Sequence, residues 1–242
     1  DMTVYRLTTE GVKLKQPAGM ASVIVSVEMR TADGTTLRDT WSASAETPGG
    51  LPDAGELEKE IRAFADRLLA LKSAPLVEEY YNGAVLFEDG AAATAFNRNL
   101  LAAGGLIAQR TLQPTSGMLE DLFGRQVIDS RLTIKNLTGL EEYNGTELWG
   151  HYEIDADGVK PEKEAVLVEG GVLKKLLNSR YPTLKAPEST GSMRFMVEPS
   201  QPTAVPTFGT VHISVEKGTA PEKMRKALQK AAKAAGQDYA YI

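Results

Sequence analysis

Two histidines and one group of carboxylates are the residues of this sequence whose types could bind a metal ion or move a proton. His151 and His212 lie far apart in a chain of 242 residues that has 2 histidines and no cysteine. A zinc site usually takes three or four histidine, cysteine or carboxylate ligands. The sequence therefore predicts no histidine-based zinc site from this chain alone, and it excludes thiolate ligands and cysteine nucleophiles. We expect both histidines to be structural or surface residues.

Three carboxylates, those of Glu153, Asp155 and Asp157, precede Gly158 and superficially resemble a calcium-binding loop. An EF-hand needs a further ligand before its glycine and a glutamate at position twelve, and neither is in register here. We therefore expect a solvated turn. The sequence also contains no P-loop, no G-x-G-x-x-G and no G-x-S-x-G, so nucleotide-binding and serine-hydrolase chemistry lack their minimal motifs.

The charge balance argues against nucleic acid as a partner. Lys and Arg number 27 against 32 Asp and Glu, which leaves a net charge of -5, whereas a nucleic-acid binder usually presents a basic surface. A run of basic residues between Lys223 and Lys233 is interpreted as the solvated face of a helix. No apolar run approaches the roughly 20 residues that span a bilayer, so we expect no membrane partner.

The elements that must position these side chains begin with strands. Val23, Val25 and Val27 alternate with polar residues, and Asp33-Gly34 predicts a two-residue hairpin loop. Asp53 with Glu56 predicts a helix N-terminus of the capping-box type. The apolar residues that follow at helical spacing are Leu57, Ile61, Phe64, Leu68 and Leu71. Residues 1–75 are thus predicted to form a hairpin followed by an amphipathic helix.

Residues 76–242 predict a second, β-rich domain. A short buried strand at 83–87 is followed by a helix over 91–103, and a last helix starts at a predicted capping box of Thr219 and Glu222, with an apolar stripe that includes Leu228 and Ala231. The strands between these helices are predicted at 126–135, 147–154, 163–169, 172–177 and 209–215. Short connections favour antiparallel pairing. The predicted class is α+β, with mostly antiparallel β-sheets in a barrel- or sandwich-like arrangement and about three helices.

Several segments share their order with a known family. Residues 150–159 combine a glycine, an aromatic residue, acidic turn residues and Gly-Val, and 165–174 are followed by Ser179-Arg180. Residues 189–194 form a glycine- and arginine-containing loop, and 81–88 with 91–93 read as a strand leading into a helix. Together these segments resemble the TldD/PmbA family of peptidase-related proteins, also described as modulators of DNA gyrase.

The resemblance covers the middle to C-terminal part of a family member. It implies that residues 1–75 end an N-terminal domain and that 76–242 form the C-terminal domain, cut short at Ile242. Since the numbering opens at Asp1 without a methionine, we expect a piece of a longer polypeptide. The family implies a cytoplasmic location, although the residues alone leave export open.

By this resemblance, active members are zinc peptidases with H-E-x-x-x-H on the helix that begins here near Ala91, and a distant cysteine completes their zinc site. In this sequence Asn97 and Arg98 stand where the first His and the Glu belong, and Ala102 stands where the second His belongs. An arginine repels a divalent cation. We therefore expect no metal ligand, no catalytic residue and no zinc or other cofactor in this chain.

What the resemblance leaves is peptide binding. Family members pair as subunits around extended or unfolded peptides, so the expected partners are such a peptide and a second copy or a family paralogue. Loop 189–194 is the candidate binding segment, because Gly191 permits close backbone approach and Arg194 could bind a carboxylate. Two alternatives stay open: an active zinc metallopeptidase whose ligands come from outside this chain, and a structural scaffold without activity.

Overall fold

A computed structural model of the chain describes residues 2–74, 80–101, 105–108, 119–196 and 203–242. The chain divides into two compact units, Asp1–Tyr81 and Asn82–Ile242. The domain boundary expected at residues 75–76 lies outside the described residues. Of the helices in the described part, none is both long and apolar enough to cross a membrane.

The first unit contains two antiparallel hairpins and one helix. Its elements are β1 (Met2–Leu7), β2 (Lys13–Ala18), β3 (Ala21–Arg30), β4 (Thr36–Ala45) and α1 (Ala54–Lys72). Burial alternates along β3: Val23, Val25 and Val27 are half-buried, whereas Ser26 and Glu28 are exposed. The predicted two-sided strand and its hairpin are confirmed.

The loop between β3 and β4 differs from the prediction. The Thr31 N–H donates to the Thr35 carbonyl at 2.9 Å, so three residues rather than two form the loop. Gly34 has a φ of 89°, while Asp33 does not have a positive φ. Instead the Asp33 carboxylate accepts the Thr35 N–H and the Thr31 hydroxyl. These bonds lower the pKa of Asp33, with the Thr31 hydroxyl contributing most.

The start of α1 is set by Asp53, as the sequence predicts. Its side chain accepts the N–H groups of Gly55 and Glu56 at 2.8 and 2.9 Å, which satisfies two donors of the open first turn. Phe64 and Leu68 are buried on one face of the helix. Leu71 is 52% exposed, so the predicted apolar stripe extends one turn further than the buried face.

The second unit is built around a four-stranded antiparallel sheet. The described strands of the whole unit are β5 (Leu132–Leu137), β6 (Glu142–Tyr143), β7 (Thr146–Glu147), β8 (Glu164–Glu169), β9 (Val172–Leu173), β10 (Met193–Met196), β11 (Thr203–Pro206) and β12 (Thr210–Val215). The sheet order is β12-β5-β8-β9, while β6 pairs with β7 and β10 with β11. Ile134, Leu167 and Leu177 lie in the core of this unit.

The α+β class is confirmed. The described strands do not close into a barrel, so of the two predicted arrangements only the sandwich-like one is compatible with these sheets. The predicted strand at 147–154 is wrong, because only Thr146–Glu147 is extended and paired. The predicted strand at 83–87 is reduced to one bridge between Val85 and Tyr241, and strands β10 and β11 were not predicted.

The helices of the second unit also differ from their predictions. The α-helix α2 (Asp89–Phe96) passes into a π-helical turn, Asn97–Leu101, and the predicted end near residue 103 lies outside the described residues. The N-cap of helix α3 (Pro221–Ala234) is Ala220, which makes no side-chain cap bond, so the predicted Thr219 cap is wrong. Its buried residues are Leu228 and Ala232, whereas Ala231 is exposed.

Candidate functional site

Five polar residues from three segments of the second unit are joined by hydrogen bonds and one cation–π contact, directly or through residues 190–193, and we call this cluster the polar junction. It consists of Tyr152, Asp155, Asn178, Ser192 and Arg194. Asp155, Asn178 and Ser192 are each at most 1% exposed. Buried polar groups destabilise a fold unless they are hydrogen-bonded. Their partners therefore show which segments the junction holds together.

Asp155 joins the acidic turn to β10. One carboxylate oxygen accepts the N–H groups of Asp157 and Val159 at 2.9 and 2.8 Å, and the other accepts the Met193 N–H at 3.0 Å. Burial raises the pKa of Asp155, and the three backbone donors only partly offset it. The prediction of a solvated turn is therefore wrong for Asp155 and also for Asp157, which is 7% exposed.

Tyr152 lies between the acidic turn and loop 189–194. Its hydroxyl donates to the Gly191 carbonyl at 2.9 Å, and the Arg194 guanidinium carbon lies 4.5 Å from the centre of its ring. Burial raises the pKa of Tyr152. The neutral Tyr152 hydroxyl therefore retains the proton that it donates to the Gly191 carbonyl, and the face of its ring contacts the Arg194 guanidinium.

Arg194 lies on β10, and its guanidinium is directed toward the backbone before β12. It donates to the carbonyls of Gly150 at 2.9 Å and Phe208 at 3.2 Å, with Trp149 at 3.5 Å. Burial lowers the pKa of Arg194. The side chain therefore holds two segments of its own chain together, and its predicted contact with a peptide carboxylate stays a prediction.

Gly191 occupies a position that excludes a side chain. Its φ is 67°, and a Cβ there would lie 2.8 Å from the Pro161 nitrogen and 2.9 Å from the Pro161 Cα. The close backbone approach that the sequence predicts for this glycine is thus made by the chain itself, at Lys160–Pro161. Contact of Gly191 with a bound peptide stays a prediction.

The two residues that precede Gly191 are both hydrogen-bonded: the Ser189 hydroxyl accepts the Gly191 N–H at 3.1 Å, and Thr190 is bound by Asn178. The Asn178 backbone N–H donates to the Thr190 hydroxyl at 2.7 Å, and that hydroxyl donates to the Asn178 carbonyl at 3.0 Å. Its side-chain amide donates to the Ala186 carbonyl at 2.7 Å. Ser189 and Thr190 are therefore held in place on the wall of an open cleft.

This cleft, which we call the lysine cleft, has a volume of about 410 Å³. Its charged lining residues are Lys160, Lys174, Lys175, Lys185, Glu162 and Glu188, and its other lining residues include Phe123, Ala186, Pro187, Ser189 and Thr190. The sequence alone does not reveal this cleft, because its four lysines are spread over 26 positions that only the fold brings together. The adjacent pair Lys174-Lys175 is the one local signal.

A second concavity of about 510 Å³ is mostly apolar and follows one side of α2. Its lining residues include Val85, Phe87, Phe96, Leu100, Ile128 and Met224. Val85 and Phe87 are 41% and 55% exposed. We call this feature the apolar groove.

The residues at the zinc-motif position are not ligands of the required kind. Asn97 and Arg98 are exposed on the π-helical turn, and Ala102 lies outside the described residues. Within the described part of the chain, no three His, Asp or Glu side chains cluster as a metal site requires. These residues do not fit a bound zinc ion.

The two histidines lie apart from this turn. His151 is exposed, and its Nδ1 lies 3.0 Å from the Leu148 carbonyl. His212 on β12 packs edge-on against Tyr143, with ring centres 5.8 Å apart. Both positions agree with the expected structural or surface roles.

Comparison with solved structures identifies similar folds. TldE from Thermococcus kodakarensis matches with a TM-score of 0.55 and 19% identity, over 90% of this chain and 46% of that one. A proposed modulator of DNA gyrase from Bacteroides thetaiotaomicron matches with a TM-score of 0.50 and 14% identity, over 87% and 42% of the two chains. This chain thus spans less than half the length of either protein. No curated protein gives a match.

A family model described as the PmbA/TldA metallopeptidase C-terminal domain matches residues 82–232. The match covers the second unit except its last ten residues, and it includes the polar junction, the lysine cleft and the apolar groove. It confirms the resemblance drawn from residues 81–93, 150–180 and 189–194. Because the model matches more than half of the residues, the chain belongs to the PmbA/TldD family.

Proposed function

We propose that this chain is a metal-free, non-catalytic member of its peptidase-related family that binds an extended peptide or an unfolded segment. The residue types at the motif position support the metal-free part. Asn97 and Arg98 replace a histidine and a glutamate, and a fixed cation beside the position disfavours a divalent ion. Without cysteine, the chain also lacks the thiolate that completes the site in active members.

The lysine cleft is the observation that carries the peptide-binding part. Ser189 and Thr190 belong to loop 189–194, and they line an open cleft of about 410 Å³. A cleft of this volume is typical of ligand-binding sites. The polar junction holds the loop rigidly, so the protein loses little conformational entropy when a peptide binds.

The apolar groove supports a second part of the proposal, in which the chain pairs with a copy of itself or with a catalytic paralogue. Phe87 and Val85 expose apolar surface along α2. Apolar surface of this kind, rimmed by polar residues, is typical of protein contacts. Size-exclusion chromatography of the chain with and without a paralogue tests it, since a shared earlier-eluting peak is expected.

Two measurements on the purified 242-residue chain test the proposal. Elemental analysis should find a zinc-to-protein ratio near zero, and anisotropy of a labelled extended peptide should show saturable binding in the presence of chelator. One tightly bound zinc per chain, or binding that is lost with chelator, would contradict the metal-free assignment. No binding above background would instead support a structural scaffold.

A further inference from the structure

The lysine cleft is positively charged although the chain as a whole is acidic. Four lysines and two glutamates line it, which leaves a local excess of positive charge in a chain whose net charge is -5. A local field opposite in sign to the rest of the surface attracts ligands of matching charge. The cleft therefore favours anionic over cationic ligands.

Two of the four lysines are already paired. Lys175 donates to both carboxylate oxygens of Glu162 at 2.6 and 2.7 Å, and Lys174 lies 3.8 Å from a carboxylate oxygen of Glu169. Lys160 and Lys185 are exposed and form no ion pair with any residue in the described ranges. Their charges remain available to a ligand.

The backbone that carries these two lysines is firmly held. Lys160 precedes Pro161, against which Gly191 packs. Lys185 lies in a tight loop closed by a bond from the Thr183 N–H to the Ala186 carbonyl at 3.0 Å. The Thr183 hydroxyl donates to Glu120 at 2.6 Å and fixes the base of that loop. Both ammonium groups therefore project from fixed points.

The remaining lining suits a peptide. Phe123 is 37% exposed, and Ala186 and Pro187 add apolar surface beside the lysines. The Ser189 hydroxyl accepts the Gly191 N–H at 3.1 Å, so its own proton is free for a ligand carbonyl or carboxylate. Apolar surface and a neutral donor next to cations fit an acidic residue with apolar neighbours better than a small inorganic anion.

We infer that the lysine cleft binds the carboxylates of an acidic, extended peptide, with Lys160 and Lys185 as its cationic contacts. This inference rests on the proposed function, because it names the class of peptide that the cleft selects. Lysine suits the task because its ammonium group can donate to carboxylate oxygens in many orientations. Glu188, which lines the same cleft, adds discrimination by repelling carboxylates from its own side.

The test compares three labelled peptides of equal length, one acidic, one neutral and one basic, by fluorescence anisotropy. At low salt the acidic peptide should bind about tenfold more tightly than the neutral one, and the basic peptide more weakly than both. The double variant Lys160→Gln/Lys185→Gln should remove the acidic preference. The matched control Lys226→Gln/Lys230→Gln, which changes two exposed lysines of α3, should keep it.

The outcomes separate this inference from the proposed function. Equal affinity for all three peptides, or an acidic preference that survives in the Lys160/Lys185 variant, overturns the inference and leaves peptide binding intact. No binding of any peptide overturns both. Displacement of the acidic peptide by equimolar inorganic phosphate also overturns it, since the cleft would then be a general anion site. Both substituted lysines are exposed, and circular dichroism confirms that the variants fold.

Discussion

Gly191→Ala is the substitution whose effect can be worked out most fully from the structure. Gly191 combines a φ of 67° with a backbone contact, because a Cβ would lie 2.8 Å from the Pro161 nitrogen. Gly236 has a similar φ of 73°, but a Cβ there would meet nothing within 4 Å. Gly236→Ala is therefore a matched control that has the same backbone strain without the collision.

The two substitutions differ by the cost of the collision. An alanine in the left-handed region costs about 1–2 kcal/mol at either position. Forcing a methyl group against backbone atoms adds about 1–3 kcal/mol at Gly191 alone. Gly191→Ala should thus lower the free energy of unfolding by about 2–5 kcal/mol, and Gly236→Ala by about 1–2 kcal/mol.

Urea unfolding followed by tryptophan fluorescence measures this difference. The chain has 2 tryptophans, Trp41 and Trp149, and a Trp41→Phe background leaves the signal to the Asn82–Ile242 unit. A loss of 3 kcal/mol moves the midpoint by about 1–2 M urea. Equal losses in the two glycine variants would refute the packing of loop 189–194 against Pro161.

Four further predictions concern the two units. Asp155→Ala should cost about 3–5 kcal/mol of unfolding free energy because it leaves three N–H groups, one buried and two part-buried, without an acceptor. The exposed Glu153→Ala should change the same free energy, measured by urea unfolding, by less than about 0.5 kcal/mol. Since burial raises the pKa of Asp155 above its ordinary 3.8, the folded state binds a proton more readily than the unfolded state. The resulting stabilisation is present below pH 3.8 and is lost as the pH rises through the folded pKa, and urea unfolding as a function of pH should show this fall relative to Asp155→Asn. Arg194→Lys should cost about 2 kcal/mol and lower the melting temperature by about 4–8 °C, because lysine loses the second guanidinium nitrogen, which donates to the Trp149 carbonyl, and the planar group that lies over the Tyr152 ring. An unchanged melting temperature would show that these two contacts contribute nothing. Phe64→Ala should cost about 3–5 kcal/mol in the first unit, against less than about 1 kcal/mol for the exposed Leu69→Ala, and similar losses in calorimetry would contradict the packing of α1.

Local patterns allowed several elements to be predicted from the sequence. The alternation through Val23 and Val27 fixes which face of β3 is buried, because side chains on a strand point alternately to its two sides. Asp53 could be recognised as a helix cap because its bonds reach only two and three residues ahead. The family resemblance drew on the order of short motifs, which also needs no tertiary information.

The site could not be predicted in the same way because its contacts are distant in sequence. Asp155 was expected in a solvated turn, but one of its partners is Met193, 38 residues further along the chain. Alternation around Tyr152 suggested a strand, whereas its ring supports Arg194 and its hydroxyl binds loop 189–194. The lysines of the cleft form no motif in the sequence. They can be recognised as one site only in the fold, where three loops bring them together.

One titration distinguishes a peptide-binding chain from a peptidase. A labelled acidic peptide is titrated with the purified chain, first with one equivalent of zinc and then with excess chelator, and binding is followed by fluorescence anisotropy. The mass of the recovered peptide is then measured by mass spectrometry. We expect the same affinity in both conditions and an intact peptide mass. Shortened products that appear with zinc and disappear with chelator would contradict the proposed function.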